Sequence, residues 1–254
     1  KNKILVYVQH YPQFKYGNEI ELNGVLKKPS NFSSDFDWES YLAKDEIYYE
    51  MFYPQTRLVS FERGFFIKHW MFSVKDKFIG ALNDAMPEPN SSFIAGVTIG
   101  ARKSMPKELL DDFKKTGIIH IVVLSGYNIT LVADFIMRMF SFLPRTLGIG
   151  LGAVGIVLFT IMAGASAATV RASIMALLVI LARATGRIYA ITWALFLTGF
   201  FMVLYNPKIL RFDAGFQLSF LATLALICLA PYFDKKFYFI TNKWKIREIV
   251  SATV

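Results

Sequence analysis

The sequence predicts a mixed fold: a polytopic α-helical membrane domain, preceded by a small partial β-barrel and an amphipathic interfacial helix. Three observations predict it. The chain is 54% hydrophobic with a mean hydropathy of +0.40, which is too apolar for an ordinary soluble domain of 254 residues. Its long apolar runs begin only after residue 117, whereas residues 1–63 alternate polar and apolar side chains in short segments.

Residues 1–63 are predicted to form the partial β-barrel. Segments 3–9, 19–27, 46–53 and 56–62 are rich in β-branched and aromatic residues and predict a small antiparallel sheet or barrel. Between them, residues 37–44 predict a short helix that Asp37 caps. Three aromatic residues in the third segment could stack on nucleic-acid bases, although alternating aromatic residues in strands are more often simple core: Tyr48, Tyr49 and Phe52.

Residues 64–89 predict an amphipathic helix that Pro87 and Pro89 end. Apolar residues such as Trp70 and Val74 follow helical spacing, and most lysines fall on other faces. Such a helix either lies in the lipid headgroup layer or packs on the β-barrel, and the sequence does not choose between these two interpretations.

Residues 90–254 predict the membrane domain. A small-residue segment at 91–100, too short to cross as a conventional helix, and a short polar helix at 105–117 come first. Five apolar runs follow and predict five membrane spans at 118–140, 147–167, 170–185, 189–205 and 214–233, the third being the shortest. Lys and Arg are more numerous after spans one, three and five, which places the C-terminus in the cytoplasm and the β-barrel outside. The five basic residues between positions 102 and 115 run against this orientation.

Polar side chains interrupt these apolar spans, where they are costly unless they face protein or water. We therefore predict a polar membrane site or aqueous path formed by His120, Ser125, Asn128, Arg171, Gln217 and Ser219. For each residue taken singly, hydrogen bonding between packed helices is the alternative. Arg171 is a midplane cation if its helix is continuous, or lies near an interface if the chain turns at residues 165–169.

His120 and Ser125 also invite a serine-hydrolase interpretation. On a helix, five residues rotate the two side chains apart by about 140°, so a shared site requires the helix to break at Gly126. This requirement makes an intramembrane hydrolase the weakest of the functional hypotheses.

Charge and cysteine content restrict the remaining chemistry. The net charge of +9 is typical of positive cytoplasmic loops, of contact with anionic lipid or of a polyanionic cargo such as nucleic acid, and it does not choose among them. The single cysteine, Cys228, excludes an internal disulfide and a cysteine-rich metal site. Because no phosphate-binding loop or HExxH motif occurs, we expect neither a cofactor nor a metal.

Five segments carry a family resemblance: residues 36–50 (FDWESYLAKDEIYYE), 93–132 (which contains TGIIHIVVLSGYN), 169–175 (TVRASIM), 184–187 (ATGR) and 206–223 (NPKILRFDAGFQLSFLAT). Together, and in this order, they resemble the ComEC family of competence proteins, the inner-membrane channels for DNA uptake in natural transformation. The resemblance covers approximately residues 17–233. It carries over to Gly117, His120, Ser125, Gly126, Arg171, Ala172, Gly186, Arg187, Pro207, Gly215, Phe216, Gln217, Leu218 and Ser219. Tyr127-Asn128 departs from the leucine and histidine of many members.

The resemblance implies a multi-pass channel in the bacterial inner membrane that imports single-stranded DNA, with an OB-like domain at residues 1–63 outside the cytoplasm. Its implied partners are single-stranded DNA, membrane lipids, other competence proteins such as a DNA receptor and a cytoplasmic helicase, and further copies of the chain. The family's metallo-β-lactamase-like domain and its HxHxDH motif do not occur in the sequence, so we expect this part to have no enzyme activity. The chain does not begin with Met, and we expect it to be a fragment of a longer protein. A membrane-anchored scaffold and a transporter of another polymer are the alternatives.

Overall fold

The computed structural model describes residues 3–9, 11–12, 14–31, 36–60, 64–101, 105–117 and 126–236. This part of the chain is mostly helical and carries two small β-sheets. Its internal contacts divide it into two compact units, residues 1–173 and residues 174–254.

Five strands precede the first long helix: β1 (Lys3–Tyr7), β2 (Glu19–Asn23), β3 (Leu26–Lys27), β4 (Ile47–Phe52) and β5 (Gln55–Ser60). They form a three-stranded sheet of order β1-β4-β3 and a separate pair, β2-β5. The β2-β5 and β3-β4 pairs are antiparallel, as the sequence predicts. The prediction is wrong for β1 and β4, which run parallel. The chain between them is long enough to cross over and enter β4 in the same direction as β1. The OB-like assignment stays a prediction.

Strand β4 carries two buried side chains, those of Glu50 and Met51. Glu50 is 2% exposed, and its Oε1 atom accepts a hydrogen bond of 2.7 Å from Nε1 of Trp38. Trp38 begins the short helix α1 (Trp38–Ala43), and the side chain of Asp37 accepts from the backbone N–H of Ser40 at 3.0 Å, which confirms the predicted cap. Since a buried carboxylate is costly without a donor, the indole contact fixes α1 against β4.

Nine further helices follow in the described residues. They are α2 (Phe66–Ala85), α3 (Asn90–Ile99), α4 (Lys107–Lys115), α5 (Gly126–Met139), α6 (Arg145–Met162), α7 (Ala167–Thr185), α8 (Ile191–Tyr205), α9 (Ile209–Phe212) and α10 (Ala214–Lys236). The predicted amphipathic helix is confirmed as α2, which ends before Pro87. The predicted short polar helix is confirmed as α4, and the small-residue segment before it forms α3.

Within the described ranges, α6 and α7 are the two helices long and apolar enough to cross a membrane. Helix α8 and the stretch Ala214–Leu229 of α10 are shorter apolar helices. The third predicted span, the shortest in the sequence, has 19 residues as α7 because its helix already begins at Ala167. The first predicted span lies partly outside the described residues, and the five-span topology stays a prediction.

Helix α2 packs through one face against α3 and α6. Met71 is 3% exposed, and Ile79 and Leu82 contact the buried cluster of Ala95, Ile99 and Ala101. The Nζ atom of Lys75 donates to the carbonyl oxygen of Ile99 at 3.5 Å and to that of Met162 at 3.3 Å. A second apolar face of α2 stays exposed: Phe66, Trp70, Val74 and Phe78. The helix is therefore held by other helices while still offering an apolar surface.

Candidate functional site

The connection between α6 and α7 decides where Arg171 lies. Helix α6 ends at Met162, and Gly164 and Ala165 then adopt positive φ angles of 92° and 48°. The backbone N–H of Ala165 donates to the carbonyl oxygen of Thr160 at 3.0 Å, which closes the turn. Arg171 therefore lies in the second turn of α7, half-buried and near a helix end, rather than midway along one continuous span.

Four hydroxyl side chains, which we call the hydroxyl cluster, lie around this turn: Thr160, Ser166, Thr169 and Ser173. Thr160 Oγ1 and Ser173 Oγ are 2.5 Å apart, and Ser166 Oγ and Thr169 Oγ1 are 2.8 Å apart. Thr160, Thr169 and Ser173 are 8%, 0% and 4% exposed. The contact between Thr160 and Ser173 joins α6 to α7 away from solvent, where hydrogen bonds hold helices together.

The hydroxyl groups of Thr160 and Ser173 have fewer protons than contacts. Thr160 Oγ1 lies 2.7 Å from the carbonyl oxygen of Ile156, and Ser173 Oγ lies 2.8 Å from that of Thr169. Each hydroxyl carries one proton, so these two contacts and the contact between the hydroxyls share two protons. One carbonyl oxygen must therefore give up its hydroxyl proton whenever the two side chains bond each other.

The beginning of α5 meets α6 and α7 close to this turn. Ile129, which is 1% exposed, and Ala172 form a buried cluster with Phe159 and Ala163 packed against it. In the sequence, Ile129 directly follows Asn128, and Ala172 directly follows Arg171. The structure thus brings the segments that carry Asn128 and Arg171, 43 positions apart in the printed numbering, onto neighbouring helices.

Other predicted residues of the first span are placed only in part. His120 and Ser125 lie outside the described residues. Asn128 falls in the first turn of α5, and Gly126 is the first residue of that helix. Gly117 has a φ of 73° after the end of α4, and its N–H donates to the carbonyl oxygen of Lys114 at 3.1 Å, as expected for a glycine that ends a helix.

Gln217 and its neighbours hold the corner between α9 and α10. The side-chain amide of Gln217 donates to the carbonyl oxygens of Leu210 at 2.9 Å and Arg211 at 3.2 Å. Asp213 Oδ1 accepts from the N–H of Phe216 at 3.0 Å and so caps the beginning of α10. In this structure Gln217 therefore binds backbone groups at the end of α9, and a role for it in lining a path stays a prediction.

The remaining residues of the same motif support this corner by packing. Phe216 is 5% exposed, and its ring centroid lies 4.4 Å from that of Phe220. A Cβ atom at Gly215 would lie 3.1 Å from Asp213 Oδ1, so glycine leaves room for the cap. Ser219 is half-buried, and its carbonyl oxygen accepts from the hydroxyl of Thr223 at 2.9 Å.

Three further predicted residues lie at helix ends in the unit formed by residues 174–254: Gly186, Arg187 and Pro207. Gly186 has a φ of 67° after α7, and the N–H of Arg187 donates to the carbonyl oxygen of Ala182 at 2.9 Å. This is the Schellman arrangement, in which glycine accepts the left-handed conformation without strain. Pro207 follows α8 by one residue, Asn206, whose Oδ1 atom accepts from the N–H of Lys208 at 3.2 Å.

A second candidate site is a cleft of about 490 Å³ in the β-rich region. Lys3, Lys28, Glu39, Tyr48 and Tyr49 are among its lining residues. The two tyrosine side chains are 52% and 41% exposed, so they are not the core residues that alternation in a strand would suggest. Cations beside exposed aromatic rings are the combination that binds single-stranded nucleic acid.

Phe52, the third aromatic residue of β4, takes part in a different contact. Its ring stacks on that of Tyr7 with the centroids 4.6 Å apart and the planes within 1°. Partial burial raises the pKa of Tyr7, and the nearby Glu50 carboxylate raises it further because it disfavours a second negative charge.

Sequence reasoning missed the hydroxyl cluster. Thr169 and Ser173 are four residues apart within an apolar run, and Thr160 lies in the preceding run. Hydroxyl residues at helical spacing in two consecutive apolar runs could have indicated a contact between the two helices. They do not establish it, because each hydroxyl can also bond the backbone of its own helix.

Comparison with known proteins identifies the family. A family model described as "Competence protein" matches residues 97–254, more than half of the chain. The chain belongs to the Competence protein family. The matched range contains α5 to α10 with the turn at Arg171, and it confirms the resemblance to ComEC proteins. Competence proteins are membrane-associated, in keeping with the two long apolar helices.

Two curated proteins are similar to the chain. ComE operon protein 3 of Bacillus subtilis (strain 168) is 24% identical over 223 residues, which is 86% of this chain and 28% of that protein. An uncharacterized protein of Aquifex aeolicus (strain VF5) is 29% identical over 235 residues, which is 91% of this chain and 50% of that protein. The chain therefore spans half or less of the length of these two relatives. No solved structure matches it.

Proposed function

We propose that this chain is part of an inner-membrane channel that imports single-stranded DNA during natural transformation. The observation that carries the proposal is the match to the Competence family over the segment that holds Arg171 and the hydroxyl cluster. In this proposal the chain acts as a conduit, without a cofactor and without catalysing a reaction. Its partners are single-stranded DNA, membrane lipids, and other competence proteins such as a DNA receptor and a helicase.

The exposed apolar surface supports a multi-pass location in the bacterial inner membrane. Only 22% and 28% of the residues in the apolar windows of α6 and α7 are buried, unlike the core helices of a soluble protein. On α8, the side chains of Trp193, Phe196 and Phe200 are 77%, 72% and 61% exposed. Soluble monomers rarely expose apolar patches of this extent, whereas helix surfaces that face lipid tails must be apolar. We extend the topology to five spans, with the β-rich region outside.

Arg171 is the residue we assign to phosphate binding. A guanidinium group recognises phosphate with paired donors, and a partly buried position strengthens that attraction. The second turn of α7 places this cation near a helix end, where DNA entering or leaving a membrane path would meet it. Neutral or weakly basic groups complete the proposed path and replace the hydration water that the DNA loses there. They belong to His120, Ser125, Asn128, Gln217 and Ser219.

The cleft with Lys3, Lys28, Tyr48 and Tyr49 supports a role for the β-rich region in DNA binding. Lysine ammonium groups attract the backbone, and exposed tyrosine rings accept bases of any sequence. A DNA-uptake channel requires such sequence-tolerant contacts because the imported DNA is arbitrary. We propose that this region presents single-stranded DNA to the membrane path.

The test is a transformation assay in a host whose own family member is replaced by this protein in its full-length form. We expect Arg171→Ala to lower uptake of labelled DNA about tenfold or more at unchanged protein abundance, which corresponds to about 1.4 kcal/mol of lost phosphate binding. Arg171→Lys should retain part of the uptake because it keeps the charge.

Arg183→Ala is the matched control, since Arg183 is an exposed cation in the last turn of the same helix. It should leave uptake near the wild-type level. Wild-type uptake by Arg171→Ala at normal abundance would remove Arg171 from the proposed path. Loss of uptake in both arginine variants would point instead to a general requirement for positive charge on α7.

A further inference from the structure

A groove of about 470 Å³ runs between the end of α7 and the beginning of α8. Its apolar lining includes Leu178 and Leu181 from α7 and Leu197 from α8. Arg187, Tyr189 and Trp193 are among the lining residues at and after the connection between the two helices. The groove therefore combines aliphatic side chains with a cation and two amphipathic aromatic rings.

The Schellman turn at Gly186 brings Arg187 to this groove. The turn reverses the chain immediately after α7, so the residue following the glycine lies beside the last turns of that helix. Small residues keep the space open, because Ala182, Ala190 and Ala194 also line it. The backbone position of Arg187 at the groove thus follows from the geometry of this turn.

The charge of Arg187 is not neutralised by any side chain among the described residues. Among the described residues, its guanidinium group has no ion-pair or hydrogen-bond partner. The sequence contains no Asp or Glu between Asp134 and Asp213, so α6, α7 and α8 offer no carboxylate to neutralise it. An anionic ligand complements this charge.

We propose that the groove binds an anionic phospholipid, with an acyl chain along Leu178, Leu181 and Leu197 and the headgroup phosphate on Arg187. Tyr and Trp favour the boundary between lipid tails and headgroups, which is where Tyr189 and Trp193 would then lie. DNA shares the phosphate but has no aliphatic tail to fill the apolar part, so the lining favours lipid. Basic pockets between membrane helices are a recurrent form of anionic-lipid recognition.

The proposal requires that α7 and α8 contact lipid, and it does not require that the chain conducts DNA. The sequence predicts that the connection holding Arg187 faces the cytoplasm. Anionic phospholipids are abundant in that leaflet, so the predicted orientation and the proposed ligand agree.

The first experiment uses fluorescence quenching of Trp193 in the full-length protein. The chain has four tryptophans, and replacing Trp38, Trp70 and Trp244 by Phe, together with any in the rest of the protein, leaves Trp193 as the reporter. The protein is reconstituted in vesicles that mix phosphatidylcholine with brominated phosphatidylglycerol, or with brominated phosphatidylcholine. We expect the apparent affinity for phosphatidylglycerol to exceed that for phosphatidylcholine about fivefold.

Arg187→Gln should abolish this preference, whereas Arg183→Gln, which removes an exposed cation that does not line the groove, should preserve it. Equal quenching by both lipids in the parent protein would overturn the proposal. So would equal losses in the two arginine variants, which would indicate diffuse surface charge. Displacement of brominated phosphatidylglycerol by a single-stranded oligonucleotide would overturn it in favour of a DNA phosphate site.

A second measurement avoids the tryptophan substitutions, since Trp38→Phe removes the donor to the buried Glu50 carboxylate. Native mass spectrometry of the otherwise unmodified protein counts retained phosphatidylglycerol molecules. We expect Arg187→Gln and the groove-filling Ala194→Leu each to retain at least one fewer than the parent and Arg183→Gln to retain the same number. Unchanged retention in both groove variants would overturn the proposal independently of the quenching result.

Discussion

The ammonium nitrogen of Lys75 lies 3.3 Å from the carbonyl oxygen of Met162, the last residue of α6. It also lies 3.5 Å from the carbonyl oxygen of Ile99, the last residue of α3. The final carbonyl groups of a helix have no partner within that helix, and they form the negative end of its dipole. One lysine on α2 therefore satisfies the ends of two other helices.

We predict that Lys75→Met lowers the free energy of unfolding by about 1–3 kcal/mol, because two carbonyl groups lose a charged donor. Reversible unfolding in mixed detergent micelles measures the change. Lys77→Met is the control, since Lys77 is an exposed lysine on the same helix, and it should change stability by less than about 0.5 kcal/mol. Equal effects of the two substitutions would contradict the assigned contact.

The hydroxyl cluster predicts coupling between Thr160 and Ser173. In a double-mutant cycle of Thr160→Val and Ser173→Ala, we expect a coupling free energy of about 0.6 kcal/mol, the average for hydrogen bonds between membrane helices. Thr185 is exposed and its hydroxyl contacts carbonyl oxygens of its own helix. A cycle that combines Thr185→Val with Ser173→Ala should therefore be additive, and additivity in the Thr160 cycle as well would refute the bond across the helices.

The positive φ of Gly186 predicts a backbone effect. Gly186→Ala should destabilise the protein by about 1 kcal/mol, because an alanine in the left-handed conformation brings its Cβ atom too close to the following carbonyl oxygen. Gly150→Ala is the comparison: Gly150 lies within α6, and a Cβ atom there would meet nothing within 4 Å. It should be neutral or stabilising, since alanine has the higher helix propensity. The sign of the two changes in unfolding free energy is the readout.

The raised pKa of Tyr7 predicts a loss of stability at alkaline pH. Folding favours the neutral ring, so this contribution is fully present below the ordinary tyrosine pKa of about 10 and is lost as the pH rises through the higher folded-state pKa. Tyr7→Phe should make stability fall less steeply above about pH 10. Tyr53→Phe, which alters a ring 69% exposed, should leave the profile unchanged. Parallel profiles for Tyr7→Phe and the parent would contradict the prediction.

Local features of the fold could be predicted from the sequence because short-range physics determines them. The Asp37 cap of α1 and the end of α2 before Pro87 each depend on residues within a few positions of one another. The sequence did not predict where α7 begins, because small residues such as Ala167 and Ala168 are compatible with either a helix or a turn.

Features that join distant segments could not be predicted in the same way. The parallel pairing of β1 with β4, the contact between Thr160 and Ser173, and the Lys75 contacts depend on tertiary structure that no periodicity encodes. The two interpretations of Arg171 were separable only once the φ angles at Gly164 and Ala165 had located the turn. The sequence therefore predicted which types of residue form the candidate site, but it did not predict which residues they contact.

The contact between Lys75 and Met162 also sets an order of events during synthesis. The two residues are 87 positions apart, so Lys75 is polymerised roughly 4–17 seconds before its acceptor at 5–20 residues per second. The segment that forms α2 is therefore synthesised before the helix end that its lysine contacts, and this contact can form only after α6 is complete. A nascent chain stopped before Met162 would lack that acceptor, so the Lys75 contact reports that synthesis has passed the end of α6.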